Sequence, residues 1–145
     1  MMDRQQTAEL YEQILTGCAV AEHSLRALMR RAQQQEIMRD MAELRQQYAQ
    51  IAGEAQKGLR AAGGQTPAAK LPRLGNCMTI YCKTMLNRSP ENLARIVIRG
   101  FQTGDRELRD YRREYINAEE EAKMLCAQLL EMQQRQKMRF RRYLN

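Results

Sequence analysis

The sequence predicts an all-α protein, an antiparallel four-helix bundle formed by one domain over residues 1–145. Apolar residues recur at alternating gaps of three and four along most of the chain, which places them on one stripe of each helix. The strong helix formers Ala, Leu, Met, Gln, Glu and Arg dominate, and only three prolines interrupt them. No segment alternates apolar and polar residues as a strand would, and the chain length fits a single domain.

The first two helices are predicted over residues about 5–32 and about 36–62. Their apolar stripes are out of phase across Gln33, Gln34 and Gln35, so one continuous helix would send the two stripes to different faces. A turn at these glutamines lets both stripes face one core, which predicts a helical hairpin. Gly63 and Gly64 then provide a stop for the second helix.

The other two long helices are predicted over residues about 90–115 and about 118–143. Ser89 can cap the free amides of the first of these, while Pro90 and Glu91 suit its first turn. The sequence Asn117-Ala118-Glu119-Glu120 has the capping-box pattern and predicts that Asn117 starts the second.

A long connector separates the second long helix from the third and carries a predicted short helix over about 74–87. Neighbouring helices joined at the same end of a bundle need only about 2–8 residues, and this link holds roughly 27. The length favours a crossover along the bundle, giving up-down-down-up order. A same-end link folded into a small cap is the alternative.

Three stretches within this element order point to a known class of proteins: residues 10–15 (LYEQIL), 44–48 (LRQQY) and 96–104 (IVIRGFQTG). With these stretches, the chain resembles uncharacterised bacterial ferritin-like domains over nearly its whole length. The resemblance implies a bundle with a long crossover between helices 2 and 3. It also implies a possible di-iron site, which needs a Glu from each of two helices and a Glu-x-x-His pair from each of the other two.

The ligands for such a site are missing from the sequence. His23 is the only histidine, and no Glu-x-x-His pair occurs. Glu22 and His23 point about 100° apart on a helix, so they do not form an acid–base pair. The four cysteines are scattered and are expected to be core or surface thiols. The sequence therefore predicts no metal, no cofactor and no catalytic residue.

Two glycines inside the third long helix, Gly100 and Gly104, fall four residues apart on its apolar stripe. Each lowers helix stability by about 1 kcal/mol relative to alanine. We expect them to permit a close crossing against Gly17 or Ala21 of the first helix. A helix break at Gly104 capped by Asp105 is a second interpretation, and a ligand cavity beside the missing side chains is a third.

The net charge of +7 is concentrated in two segments without acids, Ala55–Pro90 and Met132–Asn145. Such segments could bind RNA or DNA through its phosphates, or a membrane surface or an acidic protein, or could simply be solvated helix ends that favour cations. The candidate polyanion-binding residues are Lys70, Arg73, Lys83, Arg88, Arg135, Lys137, Arg139, Arg141 and Arg142.

Along the third long helix the arginines are instead expected to form ion pairs within the helix, because acids lie three or four residues away. The predicted pairs are Glu91–Arg95, Asp105–Arg109 and Arg106–Asp110.

With no motif for chemistry, the function expected is that of a non-enzymatic bundle acting through protein–protein contacts or self-association. Ten methionines provide adaptable contact surface for another protein or a second copy. A nucleic-acid-binding accessory protein is the alternative, and an enzyme with an unrecognised cavity is the second alternative. The chain shows no apolar leader and no apolar run long enough to span a membrane, so a cytoplasmic location is expected.

Overall fold

A computed structural model describes residues 3–64 and 87–144, which form four long helices, a 3-10 turn and no β-strand. The elements are α1 Arg4–Arg31, α2 Gln35–Ala61, α3 Pro90–Glu114, α4 Glu120–Phe140 and the 3-10 turn Arg141–Leu144. The four helices pack together, so the all-α prediction is confirmed for this part of the chain. The short helix predicted over 74–87 falls, except for residue 87, outside the described residues.

The turn expected at the glutamines is confirmed. Ala32 and Gln34 have extended backbone, with ψ of 133° and 141°, so α1 ends and α2 begins within three residues. No Gly or Pro marks this turn in the sequence; the phase shift between the apolar stripes was the only signal for it.

Two further helix boundaries follow the predicted capping residues. The Ser89 hydroxyl accepts a hydrogen bond from the amide of Asn92, and Pro90 opens α3. At the end of α2, Gly63 has a φ of +81°, a conformation that suits glycine because it has no Cβ. The amide of Gly64 then donates to the carbonyl of Leu59, which satisfies an acceptor of the last turn.

The predicted cap of α4 at Asn117 is wrong, because α4 begins two residues later with Glu119 at its cap position. The Asn117 backbone is engaged elsewhere: its carbonyl accepts from the Asp3 amide, and its own amide donates to the Gln6 side chain. Glu119 likewise donates its amide to the Thr7 hydroxyl. These tertiary contacts to α1 replace the local capping box.

The contacts between helix ends define two poles. At the Asp3 pole, the Arg4 side chain donates to the Ala62 carbonyl, so the beginning of α1 lies beside the end of α2. The α3–α4 turn lies at the same pole through the Asp3–Asn117 hydrogen bond. At the other pole, which we name the Gln34 pole, residues 33–34 of the α1–α2 turn share a surface cleft with residues 87–90.

The core is mostly apolar and includes side chains from all four helices, as the stripes predict. The largest fully buried side chains include Leu10 and Ile14 from α1, Met41 and Leu44 from α2, Phe101 from α3 and Phe140 from α4. The Phe101 and Phe140 rings meet edge to face with centroids 6.1 Å apart.

Two of the four cysteines lie in the described residues, and both are buried free thiols, as expected for core positions. Burial raises the pKa of the Cys18 thiol to about 12, with Glu22 as a smaller cause. Burial also raises the pKa of Cys126. Both side chains therefore pack as small hydrophobes. Cys77 and Cys82 lie outside the described residues.

Candidate functional site

A cavity of about 540 Å³ lies between α1 and α3 and reaches side chains of α2 and α4. We name it the interhelical cavity. Its wall extends from Gln13 to Leu28 on α1, about 22 Å at the rise of an α-helix, and from Val97 to Tyr111 on α3. Its volume is within the range of small-molecule sites, which are mostly apolar with a few polar groups.

Small residues open this cavity. Gly17, Ala21, Gly100 and Gly104 all line it. A Cβ added at Gly17 would meet no atom within 4 Å, so the close crossing expected at this residue is not formed. The second interpretation, a helix break at Gly104, is also wrong, since α3 is continuous over Pro90–Glu114. Both glycines of the pair line the cavity, although the Gln133 amide fills the space beside Gly104.

A buried chain of hydrogen bonds forms part of the cavity floor. The Tyr48 hydroxyl donates to Gln133 Oε1 at 2.8 Å, and Gln133 Nε2 donates to Asp105 Oδ1 at 2.8 Å. Lys137 Nζ lies 3.1 Å from the other oxygen of Asp105. A Cβ at Gly104 would lie 3.0 Å from Gln133 Oε1, so this glycine makes room for the amide. Because each member has a partner, the chain is a stable polar element of the core.

Burial also shifts the pKa of the tyrosine on this floor. It raises the pKa of Tyr48 well above the ordinary value, and the nearby Cys18 and Asp105 groups add to the effect. Tyr48 therefore remains a neutral hydrogen-bond donor across the physiological pH range.

Ser24 contributes a polar group that lacks a partner. The residue lines the cavity, only 6% of it is exposed, and its hydroxyl oxygen has no hydrogen-bond partner among residues 3–64 and 87–144. A buried hydroxyl left without a partner destabilises a protein by about 1–3 kcal/mol. The hydroxyl oxygen is itself fully buried, so the cavity does not reach it.

Two charged side chains lie on the cavity wall, Arg99 and Glu107, and both residues are exposed. Within the described residues, no carboxylate forms an ion pair with Arg99. Partial burial raises the pKa of Glu107, and the neighbouring Asp110 raises it further. The cavity is thus mostly apolar, with a polar floor and one charge of each sign on its wall.

Sequence reasoning did not single out Ser24, Gln133 or Arg99. Position on the helix could have identified the first two, since Ser24 follows Ala21 by three residues and Gln133 follows Leu129 by four. A polar residue at such spacing faces the core side of its helix. Nothing in the local sequence separates Arg99 from the other arginines of α3.

The candidate polyanion-binding residues are only partly within the described chain. Lys70, Arg73 and Lys83 lie outside it. Arg88 is exposed next to the start of α3. Arg141 is exposed and contacts the Met138 sulfur at 3.9 Å.

The other four candidates form ion pairs with acids from their own or other helices. Arg135 pairs with Glu131 at 3.0 Å, and Lys137 with Asp105. Arg139 and Arg142 both pair with Asp40 of α2. A segment without acids in the sequence is therefore not a surface without acids in the structure.

Asp40 is buried, with 3% of the residue exposed, and gathers three side chains from the carboxyl-terminal end. Its carboxylate pairs with Arg139 at 2.9 Å and with Arg142 at 3.0 Å, and the Tyr143 hydroxyl donates to it. Arg139 also pairs with Glu43 at 2.6 Å. Burial first, and then the hydrogen bond to Asp40, raise the pKa of Tyr143. We name this group the Asp40 cluster.

Of the ion pairs predicted along α3, Glu91–Arg95 is confirmed at 2.5 Å. The other two are wrong. Asp105 turns into the core and pairs with Lys137, while Asp110 pairs with the arginine three residues later at 2.7 Å. Spacing of three or four residues does not determine the partner when another helix offers a closer cation.

Within residues 3–64 and 87–144, no three His, Cys, Asp or Glu side chains are grouped so that they could hold a metal ion. His23 is exposed on α1, as its position off the apolar stripe predicts. In the same part of the chain, no helix combines the length and the apolar character needed to cross a bilayer.

No protein-family model matches the chain, and neither a curated protein nor a solved structure matches it.

Proposed function

We propose that the four helices form an antiparallel, ferritin-like bundle without di-iron ligands, in which a crossover joins α2 to α3. The contacts at the two poles support this order. The end of α2 meets the beginning of α1 at the Asp3 pole, whereas the beginning of α3 lies near the α1–α2 turn at the Gln34 pole. The buried free thiols Cys18 and Cys126 support a cytoplasmic location, where thiols stay reduced.

Within this architecture we propose a non-enzymatic function, the binding of a small and largely apolar molecule in the interhelical cavity. The observation that carries the proposal is the cavity of about 540 Å³ itself, whose interior is mostly apolar. A natural core closes such a volume with side chains, because a void forfeits dispersion contacts. Here glycine stands at Gly17, where an added Cβ would meet no atom within 4 Å.

The test is a substitution in the wall whose side chain fills part of the cavity. Gly17→Phe places a ring in space that is open at the position of the added Cβ. We expect it to weaken binding of the neutral fluorescent probe N-phenyl-1-naphthylamine by at least about tenfold, equivalent to ~1.4 kcal/mol. Fluorescence titration of the purified protein measures the dissociation constant.

Gly53→Phe is the matched control. Gly53 lies on α2, is exposed, does not line the cavity, and also has no atom within 4 Å of an added Cβ. Both variants gain helix propensity, so neither is expected to unfold. Equal probe affinity in the parent and in Gly17→Phe would contradict binding in this cavity, as would failure of the parent to bind the probe.

Protein–protein contact or self-association is the second function that we propose, because Met124 and Met138 of α4 are 61% and 65% exposed. Flexible thioether side chains suit adaptable contact surfaces. If α4 associates with a second copy through this face, Met124→Gln with Met138→Gln should lower the apparent mass at high concentration in light scattering. An unchanged or already monomeric mass in the parent would remove self-association from consideration.

A further inference from the structure

We propose that the interhelical cavity binds an organic cation, an apolar molecule with one ammonium group, and that Glu107 and Tyr111 hold the ammonium group. This inference rests on the proposed binding function. It adds the chemical class of the ligand and the end of the cavity at which the charge of the ligand lies.

Glu107 and Tyr111 lie next to each other on the cavity wall. Both residues line the cavity. They are four residues apart on the continuous helix α3, and side chains at that spacing are neighbours on one face. Their interaction is also electrostatic: burial first, and then the Glu107 charge, raise the pKa of Tyr111 to about 12. The wall therefore places a carboxylate beside an aromatic ring.

This pair lies toward the Asp3 pole of the bundle. On α1 the cavity wall begins at Gln13, whose side chain forms a hydrogen bond with the Tyr115 side chain. Tyr115 stands at the end of α3, one turn after Tyr111. The hydrogen bond thus joins α1 to α3 beside the cavity, and Tyr111 and Glu107 are the next wall positions along α3 from there.

Glu107 lacks the cationic partner that other acids of α3 have. Within residues 3–64 and 87–144, no cation lies within ion-pair distance of its carboxylate. Partial burial raises the pKa of Glu107, and Asp110 raises it further, which shows that no nearby positive charge compensates the carboxylate. A bound cation would supply this compensation, since an opposite charge favours the ionised form of an acid.

Tyr111 attracts a cation in a second way, through the face of its ring, which interacts with a positive group within about 6 Å. The side chain is partly buried and packs on the core beside Tyr115, with the two ring centroids 6.1 Å apart. Glu114 and Asp110 also contribute negative charge near this ring. An ammonium group next to Glu107 therefore meets an aromatic ring in acidic surroundings.

The rest of the cavity suits the apolar part of such a ligand. Val20 and Ala21 are examples of its apolar wall, and an added Cβ at Gly17 would meet no atom within 4 Å. Arg99 lies eight residues before Glu107, about 12 Å along α3. A cation at that end would meet a like charge. The ammonium group thus lies with Glu107, and the apolar part extends toward the Gln34 pole.

The experiment compares three ligands of similar size as competitors of N-phenyl-1-naphthylamine at pH 7: 4-phenylbutylamine, 4-phenylbutanol and 4-phenylbutanoate. The amine is protonated at this pH, because an alkylammonium group has a pKa of about 10.4. We expect the amine to displace the probe at the lowest concentration and the carboxylate at the highest. Glu107→Gln should weaken the amine about fivefold, equivalent to ~1 kcal/mol, and leave the alcohol unchanged.

Two substitutions at Tyr111 separate the ring from the hydroxyl. Tyr111→Leu should weaken the amine about threefold, equivalent to ~0.7 kcal/mol, because the aromatic face is lost. Tyr111→Phe keeps the ring and should bind the amine as the parent does. Equal affinity for the amine in Tyr111→Leu and in the parent would contradict the role of this ring.

Glu114→Gln is the matched control, since Glu114 is an exposed acid of the same helix whose substitution removes the same charge, and it does not line the cavity. We expect it to leave the affinity for the amine nearly unchanged. The alcohol or the carboxylate binding as tightly as the amine would overturn the proposed ligand class, as would equal effects of Glu114→Gln and Glu107→Gln. In each case the probe still binds, whereas failure of the proposed function means that the probe does not bind at all.

Discussion

Phe140→Ala should lower the free energy of unfolding by about 3–5 kcal/mol, the range for removing a buried aromatic side chain. Phe140 is fully buried at the end of α4, and its ring packs edge to face on Phe101 and beside Tyr143. Alanine loses these contacts and leaves a void that the fixed helix ends cannot close. Urea denaturation followed by circular dichroism measures the change.

Met138→Ala is the control for this prediction, because Met138 is a large apolar side chain of the same helix that is 65% exposed. Exposed substitutions away from special features change stability by about ±0.5 kcal/mol. If Phe140→Ala and Met138→Ala lose similar stability, α4 presents a different face to the core from the one described here.

Asp40→Ala should lower the free energy of unfolding by about 2–3 kcal/mol, because the loss of one partner of a buried ion pair leaves the others uncompensated. The value is below the ~3–5 kcal/mol typical of fully buried pairs. The reason is that the Arg139 and Arg142 side chains are 35% and 55% exposed, so water solvates them once Asp40 is gone. Tyr143 also loses the acceptor for its hydroxyl.

Glu43→Gln tests whether the stability contributed by an acid paired with Arg139 depends on the burial of that acid or only on its charge. Glu43 pairs with the same Arg139, but its side chain is 47% exposed, so we expect a loss of at most about 1 kcal/mol. Equal losses in Asp40→Ala and Glu43→Gln, measured by the same urea titration, would show that the Asp40 cluster contributes only surface charge.

The Asp40 cluster also bears on the nucleic-acid alternative. The cations of the carboxyl-terminal segment are candidates because no acid lies near them in the sequence. Asp40, Glu43 and Asp105 come from α2 and α3 and pair with three of them. Counterion release requires cations that can contact phosphate, so a polyanion would have to compete with these carboxylates. Polyanion binding by the candidate residues stays a prediction.

The helices could be predicted from the sequence because their signals are local. The phase shift at Gln33 located a turn without Gly or Pro, and Ser89 with Pro90 located the start of α3. Periodicity of 3.6 residues and capping chemistry both act within one or two turns of a helix. The failed cap at Asn117 shows the limit, because contacts from Asp3 and Gln6, more than 100 residues away, took its backbone.

The candidate site could not be predicted in the same way. Gly100 and Gly104 were identified on the apolar stripe of α3, but glycine permits both a close crossing and a cavity. The choice depends on the distance between α1 and α3, which the side chains of α2 and α4 help to set. Gln133, for example, occupies the space beside Gly104.

By itself, the sequence determined the helical class, the helix boundaries to within a few residues, and the apolar face that each helix buries. Those properties depend on residues that are neighbours along one helix. Only the tertiary structure decided that glycines line a cavity, that Ser24 lies in its wall without a partner, and that Asp40 and Asp105 pair with the carboxyl-terminal cations. Those properties depend on which helix faces which and at what distance, and ion pairs and voids both form between residues far apart in the chain.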